Sequence, residues 1–215
     1  MEESRMFATD GRTSPRRVNA KVWWWALMAV AALSLIPFTE LPILRDKTGI
    51  NVAYRAQLWH DRFLLVPHAV CGFLALVIGP AQFSTRLRKR YLKLHRVLGR
   101  VYVVAVLVAA SIAMILTQGS GLEMATYAQG GAWIVCTVFA FLTARNRQLV
   151  AHKQWMVRSY AVTFTFISVR VLDFWPAYAQ MSVATNQSVI ILVTFLSVFL
   201  PDIAFNWHEL TTRRA

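Results

Sequence analysis

From Val97 to Gly119 the chain reads VLGRVYVVAVLVAASIAMILTQG, and Arg100 is its only charge. As a helix such a run is about 34 Å long, enough to cross the roughly 30 Å hydrocarbon core of a bilayer. Five further runs are built the same way, at residues 22–43, 63–83, 125–144, 159–179 and 188–207. A segment that crosses lipid must satisfy its own backbone hydrogen bonds, so each run is expected to be helical. The expected fold is all-α: an integral membrane bundle of six transmembrane helices. Charged residues make up 15% of the chain, against about 25% in soluble domains. The expected division is a loose cytoplasmic tail at 1–20 and one six-helix domain at 21–215.

The formal net charge of +13 could be read as a nucleic-acid signal, but its distribution argues otherwise. Threading the six runs alternately places 18 of the 23 Lys and Arg residues on the side that holds both termini. Four face the other side (Arg45, Lys47, Arg55 and Arg62); Arg100, at the inner start of its run, counts among the 18, and Arg170 alone lies deep within a run. Basic residues accumulate on the cytoplasmic side of membrane proteins, so the expected topology is N-in, C-in, with no nucleic-acid partner. The first run reads as an uncleaved signal-anchor, because it continues to Ile43 and is Trp-rich at its inner boundary. The connection at 45–61 carries Tyr54 and Trp59, which suit a membrane surface. Cys71 and Cys136 lie in separate apolar runs and read as small packing residues.

Polar groups inside the runs carry the functional signal. His95 opens the third run, with Gly99 and Tyr102 on the same helix face at i+4 and i+7. The segment AHKQWMVRSY (151–160) repeats the order of histidine, base, arginine and tyrosine in His152, Lys153, Arg158 and Tyr160. FSTR (83–86) and FLTAR (141–145) precede the two copies, so spans 2–3 and 4–5 read as duplicated helical hairpins. An inner cluster therefore gathers Gln82, Arg86, His95, Arg96, Arg100, His152, Arg158, Asp202 and His208. Nearer the outer side, His68 heads a small-residue stripe of Gly72, Ala75 and Gly79, the pattern of close helix packing. Arg170 and Asp173 can pair at i, i+3, and with His68 and Glu40 they form an expected outer-half cluster. His60 and His208 read as interfacial.

The segments HAVCGFLALVIGPAQFSTRLRKRYLKLHRVLGRVYV (68–104) and HKQWMVRSYAVTFTFISVR (152–170) resemble an uncharacterised family of predicted bacterial polytopic membrane proteins, a domain of unknown function. The resemblance covers roughly residues 60–180 and implies a helical bundle in a bacterial inner membrane, with little chemistry. A looser likeness is to b-type cytochromes of the cytochrome b561 and ferric reductase kind, which hold haem between paired imidazoles. It implies at most one haem b here, between His95 and His152, because the counterpart of His68 in span 4 falls at Ala125, Thr126 and Tyr127.

Three functions compete. In the first, a membrane redox protein, His95 and His152 bind haem or a metal ion, supported by Arg100, Arg158, Tyr102 and Tyr160, with Gln82 and Asp202 behind them. It implies a redox partner or a membrane complex. The second is an accessory or lipid-binding subunit that meets anionic headgroups at the inner face. The third is a transporter using His68, Arg170 and Asp173, for which Pro67, Pro80, Pro176 and Pro201 hint at broken helices. No P-loop, GxGxxG, GxSxG or HExxH motif occurs in the chain.

Overall fold

The computed structural model describes residues 61–172 and 175–211, apart from the side chains of Arg170, Ala179 and residues 208–211. The first expected span, Glu40, Asp173, His60 and the connection at 45–60 lie outside the described residues, as do the side chains of Arg170 and His208. What is described is helical: α1 (Arg62–Gln82), α2 (Thr85–Arg90), α3 (Leu92–Leu116), α4 (Glu123–Arg145), α5 (Leu149–Leu172), α6 (Pro176–Ala179) and α7 (Val183–Thr211). Four of them, α1, α3, α4 and the Val183–Trp207 part of α7, are long and apolar enough to cross a membrane. The protein is an integral membrane protein, and its exposed valines, leucines and phenylalanines along α1, α3 and α7 form the surface that lipid covers.

Two of the expected spans shift along the chain. α3 starts at Leu92, so His95 lies in the first turn of the helix, ahead of the expected run. It stops at Leu116, and the following turn places Gly119 and Gly121 at φ 77° and 80°, a conformation that glycine adopts without steric cost. α5 runs from Leu149 to Leu172, earlier than the expected 159–179. Its opening residues, LVAHKQWMVR, are too polar to register as an apolar run, and they are helical all the same. Pro176 instead begins the separate short helix α6.

α1 packs along α3, and α4 along α5, as two hairpins; α5 also touches α1 and α7, and α4 touches α3 and α7. The interfaces rest on small residues. Ala75, Ala105, Ala109 and Ala110 are buried, which lets backbones approach closely where lipid provides no hydrophobic drive. Between them Tyr102, Val106, Trp133 and Val162 fill the middle of the bundle. Cys136 is buried in that region and Cys71 packs against its edge.

The segment IGPAQF of α1 shows how sequence becomes packing. Pro80 has no N–H, so the carbonyl of Leu76, four residues earlier, loses its helical donor. The Tyr160 hydroxyl donates to that carbonyl at 3.2 Å. Gly79 makes room for the ring, since a Cβ there would run into the Tyr160 ring carbons. Phe83 closes the joint edge-on to Tyr160, with centroids 5.9 Å apart. α1 therefore stays continuous through Pro67 and Pro80, and Pro201 likewise lies inside α7. The stripe below His68 is filled by the protein's own tyrosine at Gly79, while Gly72 faces open space.

Candidate functional site

One end of the bundle is basic. The end of α1, all of α2, the start of α3, the end of α4 and the start of α5 meet there. They bring together Arg86, Arg88, Lys89, Arg90, Lys93, Arg96, Arg100, Arg145, Arg147, Lys153 and Arg158. The α2 helix is held in place by Ser84, whose hydroxyl accepts the Leu87 N–H at 3.2 Å.

His95 and His152 lie at this end on α3 and α5, which run parallel. Tyr102 of α3 meets Ser159 of α5, and both histidines stand seven residues before that contact. Arg88 of α2 and Arg96 of α3 belong to the same end. His152 Nδ1 lies 2.8 Å from the carbonyl of Ala140 on α4. A carbonyl only accepts, so Nδ1 carries the hydrogen and Nε2 of the neutral ring presents a lone pair. That is the arrangement by which a metal-ligating histidine is usually oriented. Among the described residues His95 Nδ1 is buried and lacks a hydrogen-bond partner, and so is Gln82 Nε2.

Above the pair, a chain of hydroxyls ties three helices together. The Trp133 indole N–H donates to Thr163 Oγ1 at 2.9 Å, and the Thr163 hydroxyl donates to its own helix at the Ser159 carbonyl. The Thr137 hydroxyl donates to the Trp133 carbonyl, so Ser159 Oγ, 2.7 Å away, must donate to Thr137. The Tyr102 hydroxyl then donates its single hydrogen to Ser159 Oγ at 2.8 Å or Thr163 Oγ1 at 3.0 Å. Every donor in the set is used. Gln129 donates to Thr165 farther along the same two helices, α4 and α5.

Several expected site residues hold other posts. Arg158 forms an ion pair with Asp202 on α7 and lies over the Trp155 ring, 4.7 Å from its centroid. Arg100 lines a shallow hollow of about 300 Å³ on the flank of α1 and α3, with Cys71, Leu74, Val101, Val104 and Ala105. Tyr102 and Tyr160 spend their hydroxyls on Ser159 and Thr163 and on Leu76. His68 Nδ1 donates to the Ala109 carbonyl at 2.9 Å, which joins α1 to α3. Arg88 and Arg96 share the basic end with His95. The hydroxyl chain was also missing from the sequence reading, although its signal is visible: Gln129, Trp133 and Thr137 recur every four residues, as do Ser159 and Thr163.

The profile of the family described as Predicted membrane protein (DUF2306) matches residues 65–205, from α1 to within α7. The chain belongs to that family. Its function is unknown, and the matched stretch contains Gln82, both inner histidines and the hydroxyl chain. No curated protein and no solved structure matches the chain.

Proposed function

We propose that this DUF2306 protein is a membrane redox protein in which His95 and His152 form a two-imidazole site at the cytoplasmic end. The observation that carries the reading is the His152 Nδ1–H bond to the Ala140 carbonyl, which leaves Nε2 of the neutral ring with a lone pair at the end of the bundle that also holds His95. Topology alone calls for lysine and arginine at this end; it does not call for two histidines, one with a fixed tautomer.

The donor set suits haem iron. Among the described residues no group of three or more His, Cys, Asp and Glu could hold a metal ion, as protein-built zinc sites usually do. Two imidazoles are what the b-type cytochromes of the resembled kind offer their haem. Tyr102 stands seven residues above His95, about 10 Å along the helix, and the core at its level is filled. A porphyrin held by the pair therefore belongs to the basic end, whose many lysines and arginines would balance its propionates. Haem iron would supply one-electron transfer; the chain itself orients the imidazoles and walls off the bilayer interior with Tyr102, Trp133 and Val162. The N-in, C-in topology and a bacterial inner membrane are part of the same proposal, because they put the basic end in the cytoplasm.

The test is a reduced-minus-oxidised absorption spectrum of protein purified from haem-supplied cells, paired with elemental analysis. A b-type difference band is expected, lost in His152→Ala and in His95→Ala. A flat spectrum with no bound metal would sink the proposal.

A further inference from the structure

Gln82 ends α1 and is only 9% exposed. Its Oε1 rests against Gly99, 3.2 Å from where a Cβ would be, yet its Nε2 amide has no acceptor among the described residues. One helical turn before Gly99, on the same face of α3, stands His95 with its own buried and unsatisfied Nδ1. Leaving a buried donor unmade costs about 1–3 kcal/mol, and two such groups at the same joint of α1 and α3 point to something that satisfies both. Both groups can be donors. A glutamine amide nitrogen only donates, and a His95 that ligates through Nε2 carries its hydrogen on Nδ1. Arg88 of α2 and Arg96, next to His95 on α3, lie at the same end of the bundle, while Asp202, on α7, is already paired with Arg158.

We infer that Gln82 Nε2, His95 Nδ1 and Arg96, with Arg88 at the rim, bind a phosphate-type oxyanion at the basic end. The occupant must offer several acceptor oxygens to converging donors and carry negative charge into an uncompensated positive site. Phosphate meets both conditions. At a membrane boundary it can come as free phosphate or as the headgroup of an anionic lipid. The inference rests on the two-imidazole reading only for the tautomer of His95.

The full-length protein in detergent is titrated with inorganic phosphate against chloride at matched ionic strength. In parallel it is placed in vesicles of phosphatidylglycerol or of phosphatidylcholine, and thermal unfolding is followed throughout. Saturable stabilisation is expected from phosphate, or from phosphatidylglycerol over phosphatidylcholine. The first result identifies a soluble oxyanion and the second a lipid headgroup. Gln82→Met keeps the side-chain length, removes the donor and is expected to weaken the effect about tenfold. Its haem or metal spectrum should be unchanged. Arg96→Gln, read for the oxyanion response alone, serves should Gln82→Met not fold. No stabilisation by either probe, or an equal response in wild type and both variants, overturns the oxyanion site. An oxyanion response in protein that shows no haem or metal leaves this site standing and removes the redox reading instead.

Discussion

At the scale of single residues, the joint between Gly79, Pro80 and Tyr160 shows why a proline inside a membrane helix need not break it. The carbonyl that Pro80 leaves without a donor is supplied from outside by the Tyr160 hydroxyl, and Gly79 lets the ring lie flat enough to reach. Interhelical hydrogen bonds in membranes average about 0.6 kcal/mol and reach about 1.7, so Tyr160→Phe should destabilise by roughly that range. In a Pro80→Ala background the restored N–H of residue 80 takes over the Leu76 carbonyl. Tyr160→Phe is then expected to cost almost nothing. Reversible unfolding of the four proteins in mixed micelles measures the coupling, and equal costs in both backgrounds would show that the hydroxyl plays no such part. The pairing was not legible beforehand. Pro80 announces an orphaned carbonyl, but nothing along the chain says that a tyrosine eighty residues later will satisfy it.

Helices add what single residues cannot: a direction and a rotation. α4 and α5 turn Trp133, Thr137, Ser159 and Thr163 toward Tyr102 of α3, and because each hydroxyl donates once, the set is closed. Ser159→Ala removes the bonds to Tyr102 and Thr137, at about 1 kcal/mol, and Tyr102→Phe costs about as much. Their shared bond should make the double variant less destabilised than the sum by about 0.6 kcal/mol. Strict additivity in unfolding measurements would mean the network is not connected as drawn. The limits of the helices were only partly legible. Hydropathy finds lipid-crossing stretches, so it placed α1 and α4 within a residue or two of their observed ends. It missed the polar first turns of α3 and α5, which are helical by continuation of the backbone ladder and carry His95 and His152.

Across the whole molecule the dominant feature is electrical. Eleven lysines and arginines of the described residues gather at one end, whereas Arg62 lies at the start of α1, at the opposite end. Single-cysteine variants made after Cys71→Ala and Cys136→Ala test the orientation this implies. A cysteine at position 89 should resist a membrane-impermeant thiol reagent added to intact cells, and one at position 120, in the turn between α3 and α4, should react. The opposite pattern would invert the topology and place the histidine pair on the outer side.

The amino-acid order by itself determined that this chain lives in lipid, that its crossing segments are helical, and that its basic groups collect at one end. Those properties are sums over neighbouring residues, and the bilayer reads them segment by segment. Only the tertiary structure decided that Arg158 answers Asp202, that Tyr160 completes α1, and that Tyr102 meets Ser159 and Thr163 across α3 and α5. Such choices depend on how each helix is rotated against its neighbours. That rotation is set by many small packing contacts between distant parts of the chain, none of which leaves a local mark.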